Sequence, residues 1–592
     1  MPASPGSSLQ ATLPVGNSIW GWLGLLAFAL GSYLLGLGGQ YLPTNGDELV
    51  YTHIARLTAA SGNWLPLVSE LDQMRNTKPP LLFWQAMLAG GWGSHWSMAA
   101  LRTPSLIYTF LITLAVGWSV QQITRDLRSA CLGACIYLAF FCTFRFGRTY
   151  LTSAPESFWL NLPMFGLLWW KLKNAGPDAA GPGWLAHIGF GLALGLGLAY
   201  KSFALIAPAA ATLWCAQLAT ATLNWHRVFE VSARVLLSAV IALGFFGLWF
   251  VLDPDPAAVW QEFVLGENAG KMSNPAGYWH TALLGGGFSV WAQLLGYVQN
   301  AGLLAFVVLG LMALGLVQGL RAGHLKPAPA HLRILLVWLA VWLLVFTLPS
   351  QRSARYLIPA MPALAMLLAL YWQRIARGWF VPSLLLCGVF IAVLGRIGWA
   401  EQALNIGTSA DLVMTELAAT MGLLLVVLGL IKPAWTRTCT LAATFAVFAV
   451  FGLATAPLNG DSGRYSASSK AAVQQQRIAV PSSFNGQFER FEFLLPGNRL
   501  TPYDGDARAF LPAADNAAEL QRLLTRHDAV VWLQTRAETV QPLCLPACVV
   551  LGQRWEVKGR HQSGEITLAN LWYPQQWLFR REWLVSRPAQ PS

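Results

Sequence analysis

The sequence predicts an α-helical polytopic membrane protein with a small soluble α/β domain at its C-terminal end, on three observations. Of the 592 residues, 55% are apolar and only 11% are charged. The apolar residues gather into blocks of about 18 to 25, the length at which a helix crosses about 30 Å of hydrocarbon. After Thr455 the blocks stop, Asn, Asp, Ser, Arg and Gln rise, and apolar runs shrink to the length of strands or short helices. The formal charge of +12 would suggest nucleic acid in a soluble protein. Here Lys and Arg sit mostly in short loops between apolar blocks, so the charge reports orientation and lipid headgroups, with membrane lipids and not nucleic acid as partners.

Thirteen spans are expected, at roughly 19–42, 103–124, 128–145, 154–171, 184–199, 202–219, 232–252, 293–319, 334–349, 356–372, 379–397, 411–431 and 438–456. Residues 1–18 precede them as a cytoplasmic tail, with no cationic region or cleavage site of a signal peptide, so the first span reads as a retained anchor. The segment Pro79 to Trp92 is apolar but short and interrupted by Gly90 and Gly91. Laid along the surface, it lets Arg125/Arg128, Lys171/Lys173, Arg227, Arg321/Lys326/Arg333, Arg374/Arg377 and Lys432/Arg437 share one side, which the positive-inside rule makes cytoplasmic. An odd span count then puts the C-terminal domain outside. The long insertions at 43–102 and 253–292 fall on that outer, periplasmic face of a bacterial inner membrane, within a membrane domain of residues 19–456.

Residues 457–592 read as a periplasmic α/β domain, with a helix over Ala518 to Leu524 and strands over Ala529 to Leu533, Cys548 to Leu551 and Ile566 to Leu571. Trp572, Trp577, Arg580, Arg581 and Trp583 suit either a small core or a headgroup contact. Six cysteines lie in or beside apolar blocks as small buried side chains. Cys544 and Cys548 bracket Leu-Pro-Ala in the polar domain and suit a disulfide in an oxidising compartment.

Chemistry concentrates after the first span. Asp47-Glu48 opens an amphipathic helix running to about Gly62, and Lys78 follows between Thr77 and two prolines. Polar groups held at a membrane surface tend to have functions. Asp47 reads as a general base, with Glu48 as a second candidate carboxylate that, as the next residue along a helix, would point elsewhere and favour the helix dipole. Lys78 is a point charge on a stiffened turn, suited to phosphate.

Asp47-Glu48, Asn63-Trp64-Leu65-Pro66, Lys78-Pro79-Pro80-Leu81 with Trp84, Leu101-Arg102-Thr103-Pro104-Ser105 and Arg355-Tyr356-Leu357-Ile358-Pro359 together resemble the markers of GT-C glycosyltransferases related to aminoarabinose transferase and protein O-mannosyltransferases. The resemblance covers most of the membrane domain. It implies a donor sugar on a polyprenyl phosphate, such as undecaprenyl phosphate, and a lipid A, glycan or protein acceptor on the outer face. It also implies donor contacts from Lys78, Lys201, Lys271, Arg355, Tyr356, Arg148 and Trp84. Three departures stand out. The relatives' second Asp, five residues after Arg148, is Ser153 here, with Glu156 one helical turn further on as the candidate substitute. Val50 stands where aminoarabinose transferases tend to have Arg, and Thr77 where they have an acid. No cofactor is required by this chemistry, and a divalent metal stays open. A transporter of lipid-linked sugars, or a degenerate transferase that only binds lipid, is the alternative. A transporter would place charges near mid-membrane and show an internal repeat, and neither is visible.

Overall fold

The computed structural model describes residues 18–41, 46–72, 74–174, 181–269, 277–321, 328–482, 486–505, 512–535, 538, 540–559 and 561–588. A helix lies over each of the thirteen apolar blocks. In chain order, with two helices of the first outer loop included, these are α1 (Ile19–Leu34), α2 (Asp47–Ala60), α3 (Leu81–Ala89), α4 (Met98–Thr124), α5 (Leu127–Ala139), α6 (Phe141–Phe146), α7 (Ser153–Lys173), α8 (Trp184–Leu198), α9 (Ile206–Ala219) and α10 (Trp225–Leu252). They continue with α11 (Ala305–Arg321), α12 (Ala330–Thr347), α13 (Met361–Tyr371), α14 (Phe380–Ala403), α15 (Ser409–Ile431) and α16 (Thr436–Ala454). Eight helical stretches are long and apolar enough to cross a membrane, and shorter apolar helices accompany them. Polar caps mark several starts: Ser97 accepts from Ala100 N–H, Asp126 from Arg128 and Ser129 N–H, and Thr408 and Asp411 form a capping box.

Several blocks differ in detail from their expected extents, among them 293–319, which breaks at Gly302. The first helix ends at Leu34, giving way to turns, and the block over 128–145 breaks at Phe140, whose extended backbone separates α5 from α6. Helix α3, nine residues and about 13 Å long, is too short to span.

Basic loops collect at one end of the bundle and cap helix C-termini there. Arg437 donates to the carbonyls of Trp372, Gln373 and Ile375, Arg377 to that of Leu430, Lys171 to that of Thr220 and Arg333 to that of Ala219. Several of these bonds satisfy carbonyls orphaned by a helix ending, and those to Gln373 and Ile375 hold the turn after α13. The opposite end gathers the first turns of α2 and α7 and the 3-10 turn Ala354–Ala360 before α13.

The C-terminal domain is a five-stranded mixed sheet of β1 (Arg477–Pro481), β2 (Arg499–Tyr503), β3 (Ala529–Leu533), β4 (Val549–Val557) and β5 (Phe579–Ser586), ordered β2-β1-β3-β5-β4. Strands β1, β2 and β3 run parallel, and β5 runs antiparallel to both its neighbours. Helix α17 (Ala513–Arg526) packs Leu520, Leu523 and Leu524 on this sheet beside a buried Cys544–Cys548 disulfide. The strand expected over Ile566 to Leu571 is absent. That stretch is a turn, because Thr567 N–H donates to Asn570 Oδ1 (2.7 Å) and Asn570 N–H to Thr567 Oγ1 (3.3 Å), local bonds that compete with a ladder. Of the Trp and Arg run, Trp583 is buried in the sheet core and Trp572 is exposed.

Contacts with the first helices help dock this domain. Arg554, paired with Glu582, reaches back to Tyr41 beyond α1. Glu489 is bound by His53 (2.9 Å) and Arg56 (2.6 Å) of α2. Gly486, at φ +79°, sits against the same helix so closely that a Cβ would lie 2.8 Å from a Val50 methyl.

Candidate active site

Asp47 is the first residue of α2, so its carboxylate stands at the helix mouth and stays partly exposed. Arg355 comes to it from the 3-10 turn before α13. Ser353 caps that turn on Arg355 N–H, and the guanidinium places Nη1 3.2 Å from Asp47 Oδ2 and donates from Nε to Ser153 Oγ at 3.3 Å. The ring of Phe146 supports it from below at 5.0 Å. Ser153, where the resemblance leads one to expect an acid, is therefore a hydroxyl partner of arginine.

One turn along α7, Glu156 is buried and accepts from Lys201 Nζ at 2.7 Å. Lys201 sits in the turn after α8 and lies over the ring of Tyr356 at 5.6 Å. Burial pulls its ammonium below the usual lysine range, Glu156 pulls the other way, and Arg355 adds to the lowering. Lys78 donates to Thr77 O at 2.7 Å and to Glu267 at 2.5 Å, and lies 5.8 Å from the Tyr51 ring. Burial, reinforced by Asp47, pushes the Tyr51 phenol well above its ordinary value.

These groups line one cleft of about 330 Å³, which Asp47, Tyr51, Lys78, Lys201, Arg355 and Tyr356 share with Glu267. Three cations stand here, each beside a carboxylate: Lys78 with Glu267, Lys201 with Glu156 and Arg355 with Asp47. Each cation has a carboxylate within reach, so an arriving phosphate would exchange partners with groups already ionised.

Three residues expected at the site lie elsewhere. Glu48 points inward: it is buried, forms a two-pronged pair with Arg102 (2.7 and 2.8 Å) and accepts from Tyr150 N–H at 2.8 Å. Adjacent helical residues diverge by about 100°, so only one of the two acids can face the cleft. Arg148 is likewise buried, donating to Leu35 O at 2.9 Å and stacking on Phe144. Trp84 donates its indole N–H to Trp64 O at 2.8 Å in an aromatic group with Trp64 and Trp92. Lys271 falls outside the described residues. The structure adds Tyr51 and Glu267. The acid stands four residues before Lys271, on the helical segment Trp260–Asn268, and its position in a long outer loop next to a cation was the available signal.

No family model matches the chain. Among curated proteins it is 30% identical over 362 residues to undecaprenyl phosphate-alpha-4-amino-4-deoxy-L-arabinose arabinosyl transferase 1 of Sodalis glossinidius (strain morsitans), a stretch covering 60% of this chain and 59% of that one. It is 24% identical over 459 residues to the arabinosyl transferase 2 of that name from Proteus mirabilis (strain HI4320), covering 76% and 74%. With the Sodalis enzyme and that of Edwardsiella ictaluri (strain 93-146), the match spans about 60% of the relative's own length. Among solved structures, ArnT from Cupriavidus metallidurans bound to undecaprenyl phosphate superposes with a TM-score of 0.56 at 14% identity, over 97% of this chain and 100% of that one. Its apo state gives 0.54 at 15% identity, with the same coverage. The chain has the GT-C fold of ArnT.

Within this ArnT fold the membrane helices and the C-terminal sheet domain are both accounted for, since the superposition runs over nearly the whole chain. Among the described residues no three His, Cys, Asp or Glu side chains converge on a point that could hold a metal ion. Asp47, Glu156 and Glu267 each engage a different cation. Charge balance at the cleft comes from Arg and Lys side chains.

Proposed function

We propose that this multi-pass membrane protein is a glycosyltransferase, moving a sugar from a polyprenyl-phosphate donor to a lipid A, glycan or protein acceptor at the periplasmic face of a bacterial inner membrane. The observation that carries the reading is the meeting of Asp47 with Arg355 in a cleft that also holds Lys78 and Lys201. The names of the relatives, undecaprenyl phosphate-dependent arabinosyl transferases, support the donor class.

The chemistry follows from the residues. In the donor the anomeric carbon is bonded to a phosphate oxygen. As that bond breaks, negative charge grows on the phosphate, and fixed cations lower the barrier most where charge develops. Arg355 offers a planar fork and Lys78 and Lys201 point charges. The acceptor hydroxyl attacks the same carbon and gives its proton to Asp47, whose carboxylate is held at the cleft mouth by α2. Atoms balance: glycosylated acceptor, polyprenyl phosphate and one proton on Asp47, returned to solvent. The basic loops at the far end of the bundle would be cytoplasmic, which turns the cleft outward.

The test is an assay of lipid-linked sugar and of glycolipids in membranes with and without the full-length protein, by thin-layer chromatography and mass spectrometry. Loss of donor with appearance of a glycosylated acceptor is expected. Movement of an intact lipid-linked sugar between leaflets without transfer would favour a transporter and sink the proposal.

A further inference from the structure

The stretch between Gly564 and Gln575 turns its apolar side chains outward. Leu568 is 95% exposed, and Ile566, Leu571, Trp572 and Tyr573 are exposed beside it. The loop is nonetheless tied in place, by the reciprocal bonds of Thr567 with Asn570 and by Asn570 Nδ2 donating to Glu565 O at 2.8 Å. It runs down the side of α14: Arg396 Nε donates to Trp572 O at 2.9 Å, and the guanidinium lies 5.7 Å from the Tyr573 ring. Arg396 stands about two turns before the end of α14 at Ala403, about 10 Å along the axis. Around it Val389, Val393 and Trp399 are exposed, as on the lipid-facing side of a span. An ordered apolar loop that descends so far beside such a face lies in the membrane interface, where Trp and Tyr are at home.

Both ends of this loop form the rim of a cleft of about 570 Å³, Gly564 and Glu565 on one side and Gln575, Gln576 and Trp577 on the other, with Leu404 from just past α14 in its wall. That size suits a small ligand. Of its charged groups, Arg581 donates to Val540 O and lies over the Trp555 ring, and the others are matched by partners within the protein. Lys558 pairs with Glu565, Arg580 with Glu556, and Glu538 accepts from Thr535 N–H, Leu543 N–H and the Trp532 indole. The cleft presents amides and indoles instead: Gln575, whose buried Oε1 has no hydrogen-bond partner among the described residues, with Gln576, Trp555 and Trp577. Side-chain amides both donate to and accept from hydroxyls, and an indole packs against the C–H face of a sugar ring.

The geometry points to a second binding site, in which loop 566–573 rests in the outer-leaflet interface and the cleft it borders holds the saccharide headgroup of a membrane-borne glycolipid. It rests on the transferase reading, because a glycolipid acceptor anchored by its tails carries its headgroup at this level.

The experiment uses the full-length protein in nanodiscs of phosphatidylethanolamine and phosphatidylglycerol, with and without lipid A as the glycolipid probe. A nitroxide on Leu568→Cys is expected at interfacial depth by electron paramagnetic resonance, and a label fully in water overturns the loop placement. Native mass spectrometry of the released protein is expected to show lipid A retained by the wild type. Gln575→Ala and Trp577→Leu should each weaken that retention about tenfold, with undecaprenyl phosphate binding unchanged. Equal retention by both variants, or none by the wild type, overturns the cleft. Failure of the wild type to bind undecaprenyl phosphate counts against the transferase reading and is scored apart from the lipid A result.

Discussion

His53 of α2 and Glu489 of the C-terminal domain meet at 2.9 Å with both side chains shut off from solvent. The imidazole is used at both nitrogens, since Nε2 accepts from Glu70 N–H at 3.2 Å, which leaves the Nδ1 proton for the carboxylate. Arg56 completes the grip on Glu489 with bonds of 2.6 and 3.0 Å. The helix that begins with Asp47 is thus clamped from the domain behind it. Replacing Glu489 with Gln keeps the shape but removes the charge that answers Arg56, and is expected to cost roughly 1–3 kcal/mol. A lower thermal midpoint and faster proteolytic release of the C-terminal domain are the measurements. An unchanged midpoint would contradict the clamp.

Asp47→Asn keeps the shape but removes both proton acceptance and the charge facing Arg355, and is expected to lower turnover about 10²- to 10⁴-fold with the donor still bound. Lys78→Ala should weaken donor binding and turnover together, since phosphate meets that charge in ground and transition states alike. Glu156→Gln separates two roles. With Glu156 paired to Lys201 and not to Asp47, its loss is expected to act through donor affinity and not through the base. A turnover defect equal to that of Asp47→Asn would show that Glu156 shares the proton.

Lys201 gives a pH dependence. Its ammonium is held below the ordinary lysine value chiefly by burial, so its hold on phosphate should fade at a lower alkaline pH than an exposed lysine would allow. Lys201→Arg, charged throughout, should move the alkaline limb of donor binding upward. For stability the sign is set by the unfolded chain, which binds the proton more tightly. This group therefore disfavours the fold at neutral pH, and stability gains from it as pH climbs from the folded value to the ordinary one.

The C-terminal domain carries an acid-side counterpart. Burial alone would raise the Glu556 carboxyl, but Arg490, Arg580 and Arg554 overcome it and hold it down to about 2, from an ordinary 4.5. A depressed carboxylate stabilises the fold above its unfolded value and loses that contribution as pH falls through the folded one. Unfolding followed by circular dichroism should show stability declining between pH 4.5 and about 2. In Glu556→Gln that decline should flatten and neutral-pH stability should drop by about 3–5 kcal/mol, since two guanidiniums lose a buried partner. An acid profile identical to wild type would refute the assignment.

The sequence by itself determined the helices of the membrane domain and the concentration of chemistry after the first of them. Both are local properties, since a span must be apolar over the hydrocarbon thickness whatever its neighbours, and Asp47, Lys78 and Arg355 stand at block ends where charge is conspicuous. Strand β3 and the middle of α17 were legible for the same reason, as short runs with a clear period. Strands β1, β2 and β5 were not, because their hydrogen bonds go to segments far along the chain, and the apolar look of Ile566 to Leu571 belongs to an exposed turn. That Asp47 and Glu48 diverge follows from helix geometry, but their partners, Arg355 and Arg102, arrive from other helices and were fixed by the tertiary structure. It also decided that Glu156 answers Lys201, that Glu267 answers Lys78, and that Arg148 is part of the core. A charge at a block end announces itself in sequence; its partner is fixed by packing among helices that the chain order does not place side by side.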